Sequence, residues 1–280
     1  MATQRSEHLR ALAQRVADAI AAELAEEVVL TGSVSRGMAD EVSDIEMLVV
    51  TRDPLELEDC FGFARAAGLD ELGTWGAQGG PTRRVSGYRE RVPIELIWWP
   101  RDYAEAQIEA LLAGAMPSTA DALAHGVALR TRGRLAAWQE RLRAYPPDLA
   151  TAQIEEAALP WGGFAPAGLL TLIRPGDRLA LAQWVVDGSL RVLAIVFALN
   201  RVWQPTTKRL AVRVAPLRTK PDRLAERIEE ALSESDPRSA LRVMTELQLD
   251  TVRLAPSGPN VDRAAAWLAD GMDILRSEAS

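Results

Sequence analysis

One cysteine, Cys60, stands in 280 residues, so no disulfide can close within the chain and a thiolate metal centre has no ligand set. Histidine is almost as scarce. His8 and His125 lie far apart with no Cys or His neighbour, which excludes a structural zinc site of four nitrogen or sulfur ligands. Any metal must therefore be held by oxygen, pointing to magnesium or manganese. A long apolar run is also missing: Val192 to Leu199 is far shorter than the ~20 residues a span requires, so no membrane partner is expected. The first residues carry charges throughout and lack the apolar core of a signal peptide; the expectation is a cytoplasmic protein. A basic surplus is absent too. With 32 Lys and Arg against 39 Asp and Glu, the net charge is −7, which disfavours nucleic acid and suits a neutral or cationic small substrate.

What is present divides by pattern. Leu9, Leu12, Ala13, Val16, Ile20 and Leu24 form one apolar stripe, an amphipathic helix running to about Glu26. Val28 to Leu30 is a short buried strand, Ile45 to Val50 a second, and Leu55 to Ala67 a helix. Gly68 to Pro81 is glycine-rich and reads mainly as loop. Arg83 to Tyr88 and Pro93 to Trp99 read as a hairpin turning at Arg89-Glu90-Arg91. Beyond Pro100 helical stripes take over, interrupted by prolines. A boundary near Gly114-Ala115-Met116-Pro117 gives domains 1–115 and 116–280.

The chemistry concentrates in VVLTGSVSRGMADEVSDIEMLVV, residues 28–50. A strand delivers Gly32-Ser33 into a tight turn, where main-chain N–H groups and the Ser33 hydroxyl can meet an anion. Arg36 and Ser43 lie in the connection that follows. Asp44-Ile45-Glu46 then opens the next strand. Alternation sends both carboxylates to one face and Ile45 to the other, offering two oxygen ligands beside a phosphate cradle. Glu95 sits inside the apolar run Val92 to Trp99, where an unpaired carboxylate is costly. A metal or an acceptor hydroxyl would explain it; so would an edge strand exposing it to water, or an ion pair with Arg83 or Arg91.

Gly32-Ser33 followed by Asp44-x-Glu46 resembles the signature of the DNA-polymerase-β nucleotidyltransferase superfamily, with Glu46 where many members have Asp. The resemblance implies an α+β fold: a polymerase-β-like domain with a small mixed sheet and helices, then an all-helical domain completing the cleft. It implies that Asp44, Glu46 and Glu95 serve as catalytic residues and ligands for two Mg²⁺ ions (Mn²⁺ possible). Gly32, Ser33, Arg36 and Ser43 would bind the nucleotide, ATP being expected, and Glu95 would serve as general base or metal ligand. The helical half is similar, more loosely, to that of aminoglycoside adenylyltransferases. By that similarity Arg201, Lys208 and Arg209 would reach the triphosphate, although a helix end also attracts cations for dipole reasons alone.

Trp75, Trp98, Trp99, Trp161 and Trp203 are candidates to stack on a base or sugar, Trp161 foremost, with most of the five expected in the core; Glu155, Glu156 and Asp177 are candidates to read an amino sugar, or plain solvated charges on helix surfaces. The expected reaction moves AMP from ATP to a hydroxyl of a small molecule, with an aminoglycoside-like antibiotic as the best guess. Transfer to a protein or tRNA, and a non-catalytic nucleotide sensor or antitoxin subunit, are the alternatives. The sequence does not set the oligomeric state.

Overall fold

A computed structural model describes residues 2–76, 80–159 and 165–277. They form two compact units, Met1–Ala144 and Tyr145–Ser280. In the first, helices α1 (Gln4–Ala19), α2 (Gly32–Ser35), α3 (Leu57–Ala66), α4 (Arg101–Leu112), α5 (Pro117–Ala124) and α6 (Arg134–Arg143) surround a sheet. Its strands are β1 (Ala25–Leu30), β2 (Ile45–Thr51), β3 (Asp70–Thr74), β4 (Arg83–Arg89), β5 (Val92–Pro100) and β6 (Val127–Arg130), in the order β3-β4-β5-β2-β1-β6. Among the described residues only β2 and β5 pair in parallel; the other pairings are antiparallel, so the sheet is mixed.

Alternation sorts the strand residues. Ile45, Met47, Val49, Ile94, Leu96 and Trp98 point to one face and join Leu9, Leu12 and Val16 of α1 and Cys60 and Ala64 of α3 in a dry core. The opposite face carries Glu46, Leu48 and Val50 beside Glu95, Ile97 and Trp99. Part of it lies under α4, which packs on both β2 and β5.

Three features depart from the sequence reading. The helix expected to reach Glu26 ends at Ala19, and Glu26 and Glu27 enter β1 instead. Both are buried, and both find partners far along the chain. Glu27 accepts the N–H groups of Arg132 at 2.7 Å and Arg134 at 3.0 Å, closing the start of α6. Glu26 accepts from Arg134 Nε at 3.1 Å and pairs with Arg101 at 3.5 Å. Part of the presumed loop from Gly68 to Pro81 is the edge strand β3. The first unit also runs past residue 115 to Ala144, because β6 adds to the sheet beside β1.

The second unit is helical: α7 (Pro147–Ala157), a 3₁₀ segment (Pro166–Ile173), α8 (Arg178–Leu199), α9 (Leu210–Val214), α10 (Leu224–Ser233), α11 (Pro237–Leu254) and α12 (Pro259–Ser277). Its core gathers Val192, Ile195 and Val196 of α8 with Leu241, Met244 and Leu247 of α11 and Leu268 and Met272 of α12. By length and composition α8 would suffice to cross a membrane, which counting short apolar runs does not reveal; 50% of its apolar window is buried inside the unit. At Gly188 the helices come so close that a Cβ would lie 2.1 Å from Gln248 Nε2.

Candidate active site

The site grows from the end of β1. Thr31 N–H donates to the Glu46 carbonyl at 2.9 Å, so the chain turns away while still tied to β2. Gly32 takes a left-handed φ of +70° and begins α2. Two further contacts hold this short turn: Ser35 Oγ donates to the Gly32 carbonyl at 3.0 Å, and Arg10 of α1 donates to the carbonyls of Val34 at 3.0 Å and Ser35 at 2.7 Å. A Cβ on Gly32 would meet Glu46 Oε2 at 2.0 Å. The Glu46 carboxylate thus lies against the Gly32 main chain, in space that only glycine leaves open.

Glu46 and Glu95 are direct partners in the parallel β2–β5 register. They share a face, with strands about 4.8 Å apart. Glu95 is also paired with Ser86 across β4–β5, and Ser86 with Gly73 across β3–β4. A row Gly73–Ser86–Glu95–Glu46 therefore crosses the sheet and meets the Thr31-Gly32 turn. Both carboxylates are half-buried, and neither is isolated from interacting groups. β5 lies between β4 and β2, which removes the edge-strand explanation for Glu95. Arg83 instead pairs with Glu56 at 3.5 Å. Asp44, half-buried, immediately precedes β2, one alternation step from Glu46.

The remaining expected residues occupy other settings. Ser43 shapes the approach to β2: its hydroxyl donates to Asp40 Oδ1 at 2.8 Å and accepts Asp40 N–H at 2.9 Å. Arg36 reaches Asp121 of α5, donating to its carboxylate at 2.5 Å and its carbonyl at 3.0 Å, with only 13% of the arginine side chain exposed. That pair joins the turn region to α5. Ser33 is half-buried at the start of α2.

In the second unit, Arg201 and Lys208 are exposed and Arg209 is half-buried, in the segment between α8 and α9. Asn200 closes the base of this cationic segment. Its Nδ2 donates to the carbonyls of Val196 and Thr219, each at 2.7 Å, and its Oδ1 accepts Arg218 N–H at 2.9 Å and Thr219 N–H at 3.0 Å. Glu155 is taken up at the start of α12, accepting Asn260 N–H at 2.9 Å. Glu156 and Asp177 are exposed. Trp98, Trp99 and Trp203 are core residues, whereas Trp75 is exposed; Trp161 lies outside the described residues.

Ser86 and Arg84 escaped the sequence reading. The expected hairpin placed both on a strand beside Glu95, but their facing depends on a register that the sequence pattern alone does not give. A cavity of ≈ 420 Å³ in the same unit is lined by other residues, including Glu105, Arg132, Arg134 and Trp138. Within it Arg134 pairs with Glu105 at 2.9 Å and Trp138 Nε1 donates to Glu105 at 3.2 Å.

Among the described residues no three His, Cys, Asp or Glu side chains form a ready metal cluster. The donor chemistry nonetheless fits a hard cation. Magnesium is commonly held by one or two carboxylates, with phosphate oxygens and water completing its shell, and Glu46 and Glu95 adjoin in register.

A family model described as "Domain of unknown function (DUF4037)" matches residues 120–210. No curated protein gives a significant match. Among solved structures, a nucleotidyltransferase-like protein from Exiguobacterium sibiricum 255-15 is similar at 12% identity and a TM-score of 0.36, over 98% of this chain and 92% of that one.

Proposed function

We propose that the chain is a metal-dependent nucleotidyltransferase that moves a nucleoside monophosphate, AMP from ATP in the first instance, to a hydroxyl of a small molecule. The observation carrying this reading is the register pairing of Glu46 with Glu95 beside a Gly32 turn too tight for any side chain. Like charges directly opposite one another on one sheet face repel. A cation and a triphosphate would turn that repulsion into binding.

In this reading Asp44, Glu46 and Glu95 hold Mg²⁺, which when bound neutralises triphosphate charge and acidifies the attacking hydroxyl. The Gly32-Ser33 turn lets phosphate oxygens approach the main chain and the Ser33 hydroxyl. Glu95 accepts the acceptor proton as the acceptor oxygen bonds to the α-phosphorus; the bond from that phosphorus to the bridging oxygen breaks, and pyrophosphate leaves with the electron pair. Arg201 and Lys208 are assigned to the triphosphate through the resemblance, and their exposure is compatible with such a role. Arg36 and Ser43 support the site by fixing the turn and the approach to β2.

A pyrophosphate-release screen tests this directly, pairing each of the four NTPs with cationic, neutral and anionic hydroxyl compounds, aminoglycosides among them. Release that requires both an acceptor and Mg²⁺ supports the reading. Nucleotide binding without release across the panel would favour a sensor.

A further inference from the structure

Arg84 and Trp75 stand beside the carboxylate row and take no part in the chemistry above. Arg84 pairs with Ile97 across β4–β5, two residues along β4 from the Ser86–Glu95 pair, so its side chain leaves the sheet on the carboxylate face. Its guanidinium carbon is 4.8 Å from the centroid of the Trp75 ring. Gly76, at φ +78°, comes so close that a Cβ there would lie 2.6 Å from Arg84 Nη1. Indole and main chain thereby hold the guanidinium in place, yet its Nε is buried without a hydrogen-bond partner. A positioned guanidinium with an unused donor, on the sheet face that carries the carboxylate row, is a recognition element in want of an oxyanion.

The order across the sheet sets which substrate it meets. Gly32 lies on the Glu46 side of the row, and Ser86 on the Glu95 side. A nucleotide at the Gly32 turn puts the acceptor beyond Glu95, where Arg84 and Trp75 stand. Resting on the nucleotidyl-transfer reading, we propose that Arg84, on its Trp75 platform, binds a phosphate or carboxylate carried by the acceptor near its reactive hydroxyl. A planar guanidinium engages two such oxygens at once, and stacking on indole holds its plane without consuming its donors. The acceptor class is therefore a hydroxy acid or a sugar phosphate.

Calorimetry on the full chain tests this with glycerol 3-phosphate, lactate and uncharged glycerol as probes, and with ATP and Mg²⁺ in parallel. At least one anionic probe should bind and glycerol should not; which anion binds tighter separates a phosphate from a carboxylate. Arg84→Gln should weaken anion binding about tenfold or more, the usual effect of losing a charged hydrogen bond, and change ATP affinity less than about twofold. Arg84→Lys, which keeps charge and stem but loses the fork, should fall between, and guards against a folding defect in the glutamine variant. Wild-type anion affinity in both variants, or no anion binding by the native chain, would overturn the proposal. Arg84-dependent anion binding in a chain that binds no nucleotide would instead remove the nucleotidyl-transfer reading and leave the oxyanion site standing.

Discussion

Glu46 and Glu95 face one another across the only parallel strand pair in the described sheet, and the Glu46 carboxylate rests against the main chain of Gly32. One turn and two strands, separated in sequence by α3 and the β3–β4 hairpin, are thereby joined at one spot. This relationship yields the first expectation. Gly32→Ala places a Cβ 2.0 Å from Glu46 Oε2 and forces alanine into a left-handed conformation. The backbone term alone costs about 1–2 kcal/mol. The displaced carboxylate should reduce kcat/KM more than about tenfold, while thermal unfolding shows a still-folded chain of modestly lower Tm. Full activity in a folded variant would dissociate Glu46 from the site.

Lys208 is exposed in the segment closed by Asn200. If it contacts the triphosphate, Lys208→Ala removes a charge-assisted contact of about 1.5–3 kcal/mol and raises the KM for nucleotide roughly ten- to a hundredfold, leaving that for the acceptor nearly unchanged. Steady-state kinetics in both substrates distinguishes this from a helix-end charge, whose loss would alter neither.

Cys60 is fully buried in the first unit, and burial pushes its thiol from 9.0 up to about 12, against the opposing pull of nearby Arg83. At pH 8 the folded thiol is neutral and enclosed, so thiol reagents should label it only as the chain unfolds. The sign for stability follows: the proton is held more tightly in the folded state, so this contribution is intact below pH 9 and is lost as pH rises toward about 12. Labelling rates measured across a denaturant series check both points; fast labelling of the native chain would show Cys60 to be accessible.

In the second unit, Gln248 is fully buried and both of its amide atoms, Oε1 and Nε2, lack hydrogen-bond partners. Gln248→Met keeps the length and removes two unsatisfied groups, each carrying a desolvation cost of about 1–3 kcal/mol. The variant should be more stable in urea unfolding by an amount of that order. A loss of stability would mean that the amide is satisfied by a bound water.

Much of this site is local in sequence and was legible there. Gly32-Ser33 and Asp44-x-Glu46 fall on a turn and at a strand start, where apolar alternation alone puts them. Glu95 was legible as an anomaly, a carboxylate in an apolar strand. Its place beside Glu46 was expected from the resemblance alone and not from the pattern, because register across a parallel pair depends on the connection between the strands rather than on either strand alone. Nor was the fate of Arg36, whose partner Asp121 arrives from α5. Glu26 fits the end of a helix by local pattern, yet it and Glu27 enter β1, where distant arginines and the N–H groups at the start of α6 meet them. β3 was hidden by Gly73 and the glycines around it, which weaken a strand pattern.

The most direct measurement of the carboxylate pair's role is ATP binding by calorimetry, first in EDTA and then with Mg²⁺, on the native chain and on Glu46→Gln. The expected result is weak binding in EDTA, tightened by Mg²⁺ on the order of ten- to a hundredfold in the native chain and far less in the variant. Equal ATP affinity with and without Mg²⁺ in the native chain would contradict a metal-holding role for Glu46 and Glu95.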